Sequence, residues 1–274
     1  MTDIALEVKS LSLAFGGLKA VSEFSLALPA RSLYGLIGPN GAGKTTVFNL
    51  LTGVYRPDQG EILLAGTRLD GKRPSAIAAA GLARTFQNIR LFGELSVLDN
   101  VRTACGVRAS SGLFSCLLRT ARYLAEERAI TERSLDLLDI LGISHRANEQ
   151  AKSLPYGDQR RLEIARALAT EPRVLLLDEP VAGMNTQEKH AMRALIESLR
   201  ERFGVGILLI EHDMGLVMEI CEHITVLDHG VTIAAGDASK IQDDPAVIEA
   251  YLGAPETDDD VPPATDAPAS KDVH

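Results

Sequence analysis

The stretch that constrains this chain most is GPNGAGKTT, Gly38 to Thr46. A short apolar run, SLYGLI, precedes it, and a helix-like segment, KTTVFNLLTG, follows it. Gly38, Pro39, Asn40, Gly41, Ala42, Gly43, Lys44 and Thr45 fit the pattern G-x-x-x-x-G-K-[ST], which carries meaning only between a buried strand and a helix. Glycines let the backbone curl until several N–H groups converge, and a helix start adds unpaired N–H groups of its own. Such a loop cradles phosphate. Lys44 would reach the β- and γ-phosphates, Thr45 would offer its hydroxyl to Mg²⁺, and Thr46 completes the binding set. A glycine-rich turn without a ligand is the alternative, and the full spacing in this context disfavours it.

RVLLLDEP carries Asp178 and Glu179 to the end of a continuous apolar run, as in a parallel strand buried on both faces. Open α/β sheets bind ligands at that end. Asp178 would hold Mg²⁺ through its water, and Glu179 could take a proton from an attacking water. VGILLIEHD is a second such strand and brings His212, and AMRALIESLRERFG is the helix that connects the two. At the N-terminus, IALEVKSLSLAF and LKAVSEFSLALP alternate around Gly16-Gly17 as antiparallel strands, with GEILLAGTRL as a further strand of that set. Gly53 closes the first helix. From Ser96 to Gly157 the pattern is mainly helical: Ser96 with Asp99 resembles a capping box, and Leu135, Leu138 and Leu141 are expected on one face before Gly142.

The 274 residues, 46% hydrophobic and 24% charged, fit one large folded domain or a domain with a subdomain. The net charge of −9 is uneven, because residues 256–274 hold six acids against Lys271. That Pro-, Asp- and Ala-rich end is expected to be a disordered tail. The near-neutral remainder lacks the basic excess of a nucleic-acid binder, so no nucleic-acid partner is expected. Cys105, Cys116 and Cys221 have no metal-ligand spacing and read as reduced thiols. MTDIALEVKS has no apolar core of a signal peptide, and the longest apolar runs are too short to cross a bilayer. The expectation is a chain soluble by itself that reaches a membrane only through a partner.

LPYGDQRRLEIARALA, Leu154 to Ala169, poses a separate question. Gly157 precedes a helix with three arginines, and no nucleophile or metal ligand accompanies it. A helix start attracts anions, yet a basic amphipathic helix is most often a solvated surface helix. The stretch alone does not name its anion.

Taken in order, these motifs resemble the nucleotide-binding subunits of ABC transporters, over roughly Ile4 to Gly253. RTFQ ending in Gln87 and the late AYLG add to the match, and the wording of GPNGAGKTTVFNLLTG, RTFQNIRLF, YGDQRRLEIARALA, AGMN and IEHDMGLVM is similar to the LivG-type ATPases of bacterial branched-chain amino acid importers. The resemblance implies an α/β P-loop NTPase core of ABC type, with an antiparallel β subdomain and a helical subdomain at roughly 96–157, the whole occupying residues 1–255. It also implies that two ATPase subunits pair head to tail with ATP between them. Gly157 then faces, in trans, the γ-phosphate held by the other subunit's loop, and this answers the question of the missing chemistry. Phe15 would stack on adenine. Gln87 would touch Mg²⁺ or the attacking water and move with the membrane subunits, and His212 would hydrogen-bond the γ-phosphate.

Two departures stand out. The usual Leu-Ser-Gly-Gly-Gln is replaced by Leu154-Pro155-Tyr156-Gly157-Asp158, so Pro155 supplies neither hydroxyl nor N–H. AGMN ends in Asn185 where many relatives have Asp. The resulting expectation is a Mg²⁺-dependent ATPase driving uptake of branched-chain or related amino acids. Its partners would be two integral membrane permeases, a second ATPase subunit or a second copy of itself, and a periplasmic solute-binding protein. It would sit peripherally on the cytoplasmic face of the bacterial inner membrane. The rival readings are the same ATPase role for urea, amides or lipid export, a soluble non-transport ATPase, and a nucleotide-binding regulator without turnover. The intact Asp178-Glu179 pair argues against the last, and the lack of long heptads or a second ATPase core argues against the soluble ATPase.

Overall fold

Alternation over twelve residues on each side of Gly16-Gly17 folds the N-terminus into a long hairpin, β1 (Ile4–Phe15) with β2 (Leu18–Pro29). The computed structural model describes residues 3–106 and 120–252. On the other edge of β1 lie β4 (Gln59–Leu64) and β5 (Thr67–Arg68), completing an antiparallel sheet of order β2-β1-β4-β5. GEILLAGTRL is therefore two strands rather than one. Ala65 and Gly66 both take positive φ, 45° and 77°, and turn the chain back on itself.

The second sheet runs, edge to edge, through Val231–Gly236 (β10), His223–Asp228 (β9), Leu33–Ile37 (β3), Gly206–Ile210 (β8), Val174–Asp178 (β7) and Leu82–Arg84 (β6). Its parallel members are β3, β6, β7, β8 and β9, and β10 adds an antiparallel edge. Their unbroken apolar runs have a direct cause: both faces are covered. Leu175, Leu177, Ile207 and Leu209 point into a core shared with the helices, while Val174, Leu176, Leu208 and Ile210 point into a core shared with the antiparallel sheet and the helix Lys44–Leu51. Each fully buried Leu or Ile contributes about 1.5–3 kcal/mol. A charge at any of these positions would be stranded in the interior.

The helical region packs Val97–Cys105, Ala121–Ile140 and Tyr156–Ala169 against one another. Ser96 caps the first, its hydroxyl accepting from the Asp99 N–H at 3.0 Å. The reciprocal half of the expected box is altered, because the Asp99 carboxylate accepts a hydrogen bond from the Ser96 hydroxyl instead. The buried face of Ala121–Ile140 also differs from expectation. Ser134, Leu137, Leu138 and Leu141 are buried, and Leu135 is exposed. Spacing of i, i+3, i+4, i+7 keeps one face, whereas Leu135-Leu138-Leu141 drifts around the helix. Cys105 and Cys221 are buried and free, and burial pushes the Cys221 thiol up to about 12. Cys116 and the acidic end of the chain lie outside the described residues. Among the described residues no helix is long and apolar enough to cross a membrane.

This topology sets the site. The phosphate loop follows β3, Gln87 follows β6, Asp178 and Glu179 end β7, and His212 follows β8. These four strands are neighbours and parallel, so all four groups emerge at one rim, the ligand-binding end of such sheets.

Candidate functional site

Sterics specify the loop after β3. A Cβ on Gly38 would lie 2.0 Å from the Leu227 carbonyl oxygen, and one on Gly43 would lie 2.6 Å from the Ala20 carbonyl oxygen. Both positions also take positive φ, so only glycine fits. No side chain caps the helix that starts at Lys44, which leaves its first N–H groups for an external acceptor. Lys44 is buried, and its ammonium arches back to donate to the carbonyls of Gly38 at 2.6 Å and Pro39 at 2.9 Å. Burial lowers its pKa, with Glu179 and Asp178 opposing that shift. A cation held over a curl of N–H groups is a phosphate-sized receptor.

Glu179 stands between two donors. The Gln87 side-chain amide donates to one carboxylate oxygen at 3.0 Å, and His212 Nε2 lies 2.9 Å from the other. In the tautomer with its proton on Nε2, His212 donates to this carboxylate. Glu179 has φ of 49°, a left-handed conformation that costs a non-glycine residue about 1–3 kcal/mol. A backbone bond from its N–H to the Ile210 carbonyl at 2.9 Å helps hold it there. Behind it, the buried Glu211 accepts from the N–H of Val181 at 2.9 Å and of His212 at 3.2 Å. Burial raises the pKa of Glu211, and the nearby Glu179 adds to the shift.

Asp178 is engaged as well, by the arginine that opens RTFQ, to which the sequence assigns no role. Arg84 donates to its carboxylate at 2.8 Å and to the Asn49 side-chain oxygen at 2.7 Å. The guanidinium sits between the rings of Phe48 and Phe86, 5.3 and 5.1 Å from their centroids. Thr45, Gln87 and Asp178 nonetheless present hydroxyl, amide and carboxylate oxygens, the hard donors that magnesium takes. Among the described residues no three His, Cys, Asp or Glu side chains form a metal cage.

The helix Tyr156–Ala169 is not the solvated basic helix that its composition suggests. Arg160 is buried and donates to the carbonyls of Phe86, at 2.6 Å, and Gln87. It also pairs with Glu163 at 3.1 Å. Arg161 donates to the Leu141 carbonyl at 2.9 Å, and Arg166 donates to the Arg90 carbonyl. Arg160 and Arg161 satisfy partly buried carbonyls, and Arg166 satisfies an exposed one. At the helix start Pro155 offers no side-chain cap, as the sequence implies, and Asp158 is neutralised by Arg146 at 2.9 Å. Asn185 serves as an N-cap, in a full capping box with Glu188. Phe15 is half exposed at the end of β1 and meets Tyr55 edge-on, with centroids 5.2 Å apart. Beside the Gln87 segment opens an apolar groove of about 830 Å³, lined by Ile77, Leu82, Phe86, Leu91, Phe92 and Ala104 among others.

Gly157, expected ahead of the helix, is its second residue, after Tyr156. A strand-end phosphate loop, a second carboxylate strand and a helix start bearing Gly157 define an ATP-binding cassette, and comparison with known proteins agrees. The ABC transporter family profile matches residues 21–182, and the chain belongs to that family. A further profile, for branched-chain amino acid ATP-binding cassette transporters, matches residues 231–257. The chain is 47% identical over 253 residues to the high-affinity branched-chain amino acid transport ATP-binding protein LivG of Salmonella typhimurium, covering 92% of this chain and 99% of that one. It is 45% identical to BraF of Pseudomonas aeruginosa, which bears the same description, covering 90% and 97%. The lipopolysaccharide export ATP-binding protein LptB of Haemophilus influenzae is 32% identical over 90% of this chain and 97% of its own. Among solved structures, the ADP conformation of the ATP-binding cassette MJ1267 superposes with a TM-score of 0.79 at 28% identity, covering 92% and 99%.

Proposed function

We propose that this chain is the ATP-hydrolysing subunit of an importer for branched-chain or related amino acids, peripheral to the cytoplasmic face of a bacterial inner membrane. The observation that carries the hydrolytic reading is Glu179, held between Gln87 and His212 beside the Lys44 loop. The loop N–H groups and Lys44 bind the phosphates of ATP, and Phe15, with Tyr55 behind it, stacks on adenine. Glu179 accepts the proton of the attacking water, and its two donors fix the direction in which its remaining lone pairs point. His212 turns its Nε2–H from Glu179 to the γ-phosphate when nucleotide enters. Thr45, Gln87 and Asp178 would hold magnesium, and the ion would neutralise the developing phosphate charge.

A second ATPase subunit, or a second copy, supplies the helix start that completes this chain's site, while Gly157 completes the site opposite. Two integral permeases are the membrane partners. The apolar groove beside Gln87 suits an amphipathic permease segment, because it is continuous with the segment whose carbonyls Arg160 holds. Amino acid import is favoured over lipid export by the higher identity to LivG and BraF than to LptB. The test is ATPase rate in vesicles carrying the whole transporter. Leucine-loaded periplasmic binding protein should raise it; stimulation by urea or amides alone would overturn the substrate and leave the ATPase reading intact.

A further inference from the structure

The buried Arg160 joins two parts of this chain that act on different nucleotides. On one side its Nε and Nη2 donate to the Tyr156 hydroxyl at 3.2 and 3.0 Å. Tyr156 immediately precedes Gly157, and its ring lies beside Gly183, where an added Cβ would meet it at 3.6 Å. On the other side Arg160 holds the carbonyls of Phe86 and Gln87, and Glu163 accepts from the Phe86 N–H at 3.0 Å. Two consecutive residues are thus clamped by three main-chain bonds from one helix. From Gln87 the path runs on through its amide to Glu179, at 3.0 Å. The interior location matters, because hydrogen bonds to an ionised, desolvated group are the strong and geometrically demanding ones.

We propose that Tyr156 and Arg160 are positioning residues for hydrolysis on this chain's own phosphate loop: they set the seat of Gln87, and through it the aim of Glu179, from the helix start that serves the partner's nucleotide. This rests on the composite-site reading above, in which Gly157 acts in trans. That reading alone confines the effect of the helix start to the partner's loop. The Tyr156–Arg160–Gln87 path adds an effect in cis, and so links the two sites through one chain.

The experiment uses the assembled transporter with the second subunit's general base changed to glutamine, so that only this chain's loop turns over. Arg160→Lys keeps the charge and loses the fork that spans two carbonyls. Tyr156→Phe removes a single hydroxyl and guards against the lysine variant failing to fold. Each should lower kcat in cis by about three- to tenfold, the worth of one hydrogen bond, with KM for ATP unchanged. In a Gln87→Ala background neither should lower kcat further. Unchanged cis turnover for both variants, or full additive losses on Gln87→Ala, would overturn the proposal, because a merely structural role does not act through Gln87. A separate arm reads the partner's loop with this chain carrying Glu179→Gln. There Gly157→Asp should abolish turnover; its survival would show that the composite-site reading itself fails, independently of Arg160.

Discussion

Arg84→Met tests whether the ion pair behind Asp178 is a structural necessity. Arg84 and Asp178 are 5% and 4% exposed and 2.8 Å apart, so the substitution leaves a carboxylate in the interior with its cation gone. Removing one partner of a buried pair costs about 3–5 kcal/mol, because the remaining charge keeps its desolvation penalty. The Asn49 oxygen loses its donor too, and the rings of Phe48 and Phe86 lose the cation between them. Methionine fills part of the volume, so the cavity contribution is small beside the electrostatic one. Urea unfolding of the purified chain reads the loss as a lower midpoint with unchanged slope. Adding Asp178→Asn to Arg84→Met removes the stranded charge and should recover much of the loss. A single variant within about 1 kcal/mol of the parent, or a double variant no better than the single, would refute the reasoning.

Two further outcomes follow from the site. Pro155 supplies no hydroxyl for the partner's nucleotide, so Pro155→Ser should speed hydrolysis at the partner's loop and leave this chain's loop unchanged; single-site turnover in complexes with one glutamate disabled measures each, and equal rates before and after the change would show that another donor already fills the place. Burial raises the Glu211 pKa, so the folded chain keeps that proton to higher pH than the unfolded chain, and stability is lost as pH rises from the ordinary carboxylate range through the raised value. Glu211→Gln keeps a carbonyl for the Val181 N–H and should flatten the fall in melting temperature as pH rises above the ordinary carboxylate range; an unchanged slope would contradict the shift.

Much of the architecture could be read from periodicity because both-face burial leaves a plain mark: RVLLLDEP and VGILLIEHD are unbroken apolar runs ending in polar residues. The phosphate loop was equally open to reading, since its glycines answer steric demands of the backbone itself. What stayed hidden were side chains whose role depends on distant partners. Arg84 lies 94 positions from Asp178, and Arg160 lies 74 from Phe86. A surface arginine and a buried one look alike in composition. The one local trace was Arg160 with Glu163, three apart on a helix otherwise flanked by apolar residues, a spacing that allows a buried ion pair. Leu135 misled for a related reason: leucine at helical spacing marks a face only when the full i, i+3, i+4, i+7 set is followed. In the proposed head-to-tail pairing, the helix bearing Gly157 would act on a second subunit's nucleotide, which no single-chain pattern could supply.

In the proposed hydrolysis, Glu179 is the group that accepts the proton of the attacking water. The decisive measurement is single-turnover ATP hydrolysis by the assembled transporter, with Glu179→Gln in this chain and the partner's site disabled. Glutamine keeps the side chain's shape, and ATP affinity should stay near the parent value. Turnover should fall by roughly two or more orders of magnitude, the worth of a positioned base. Turnover close to the parent rate, with ATP bound normally, would contradict the assignment.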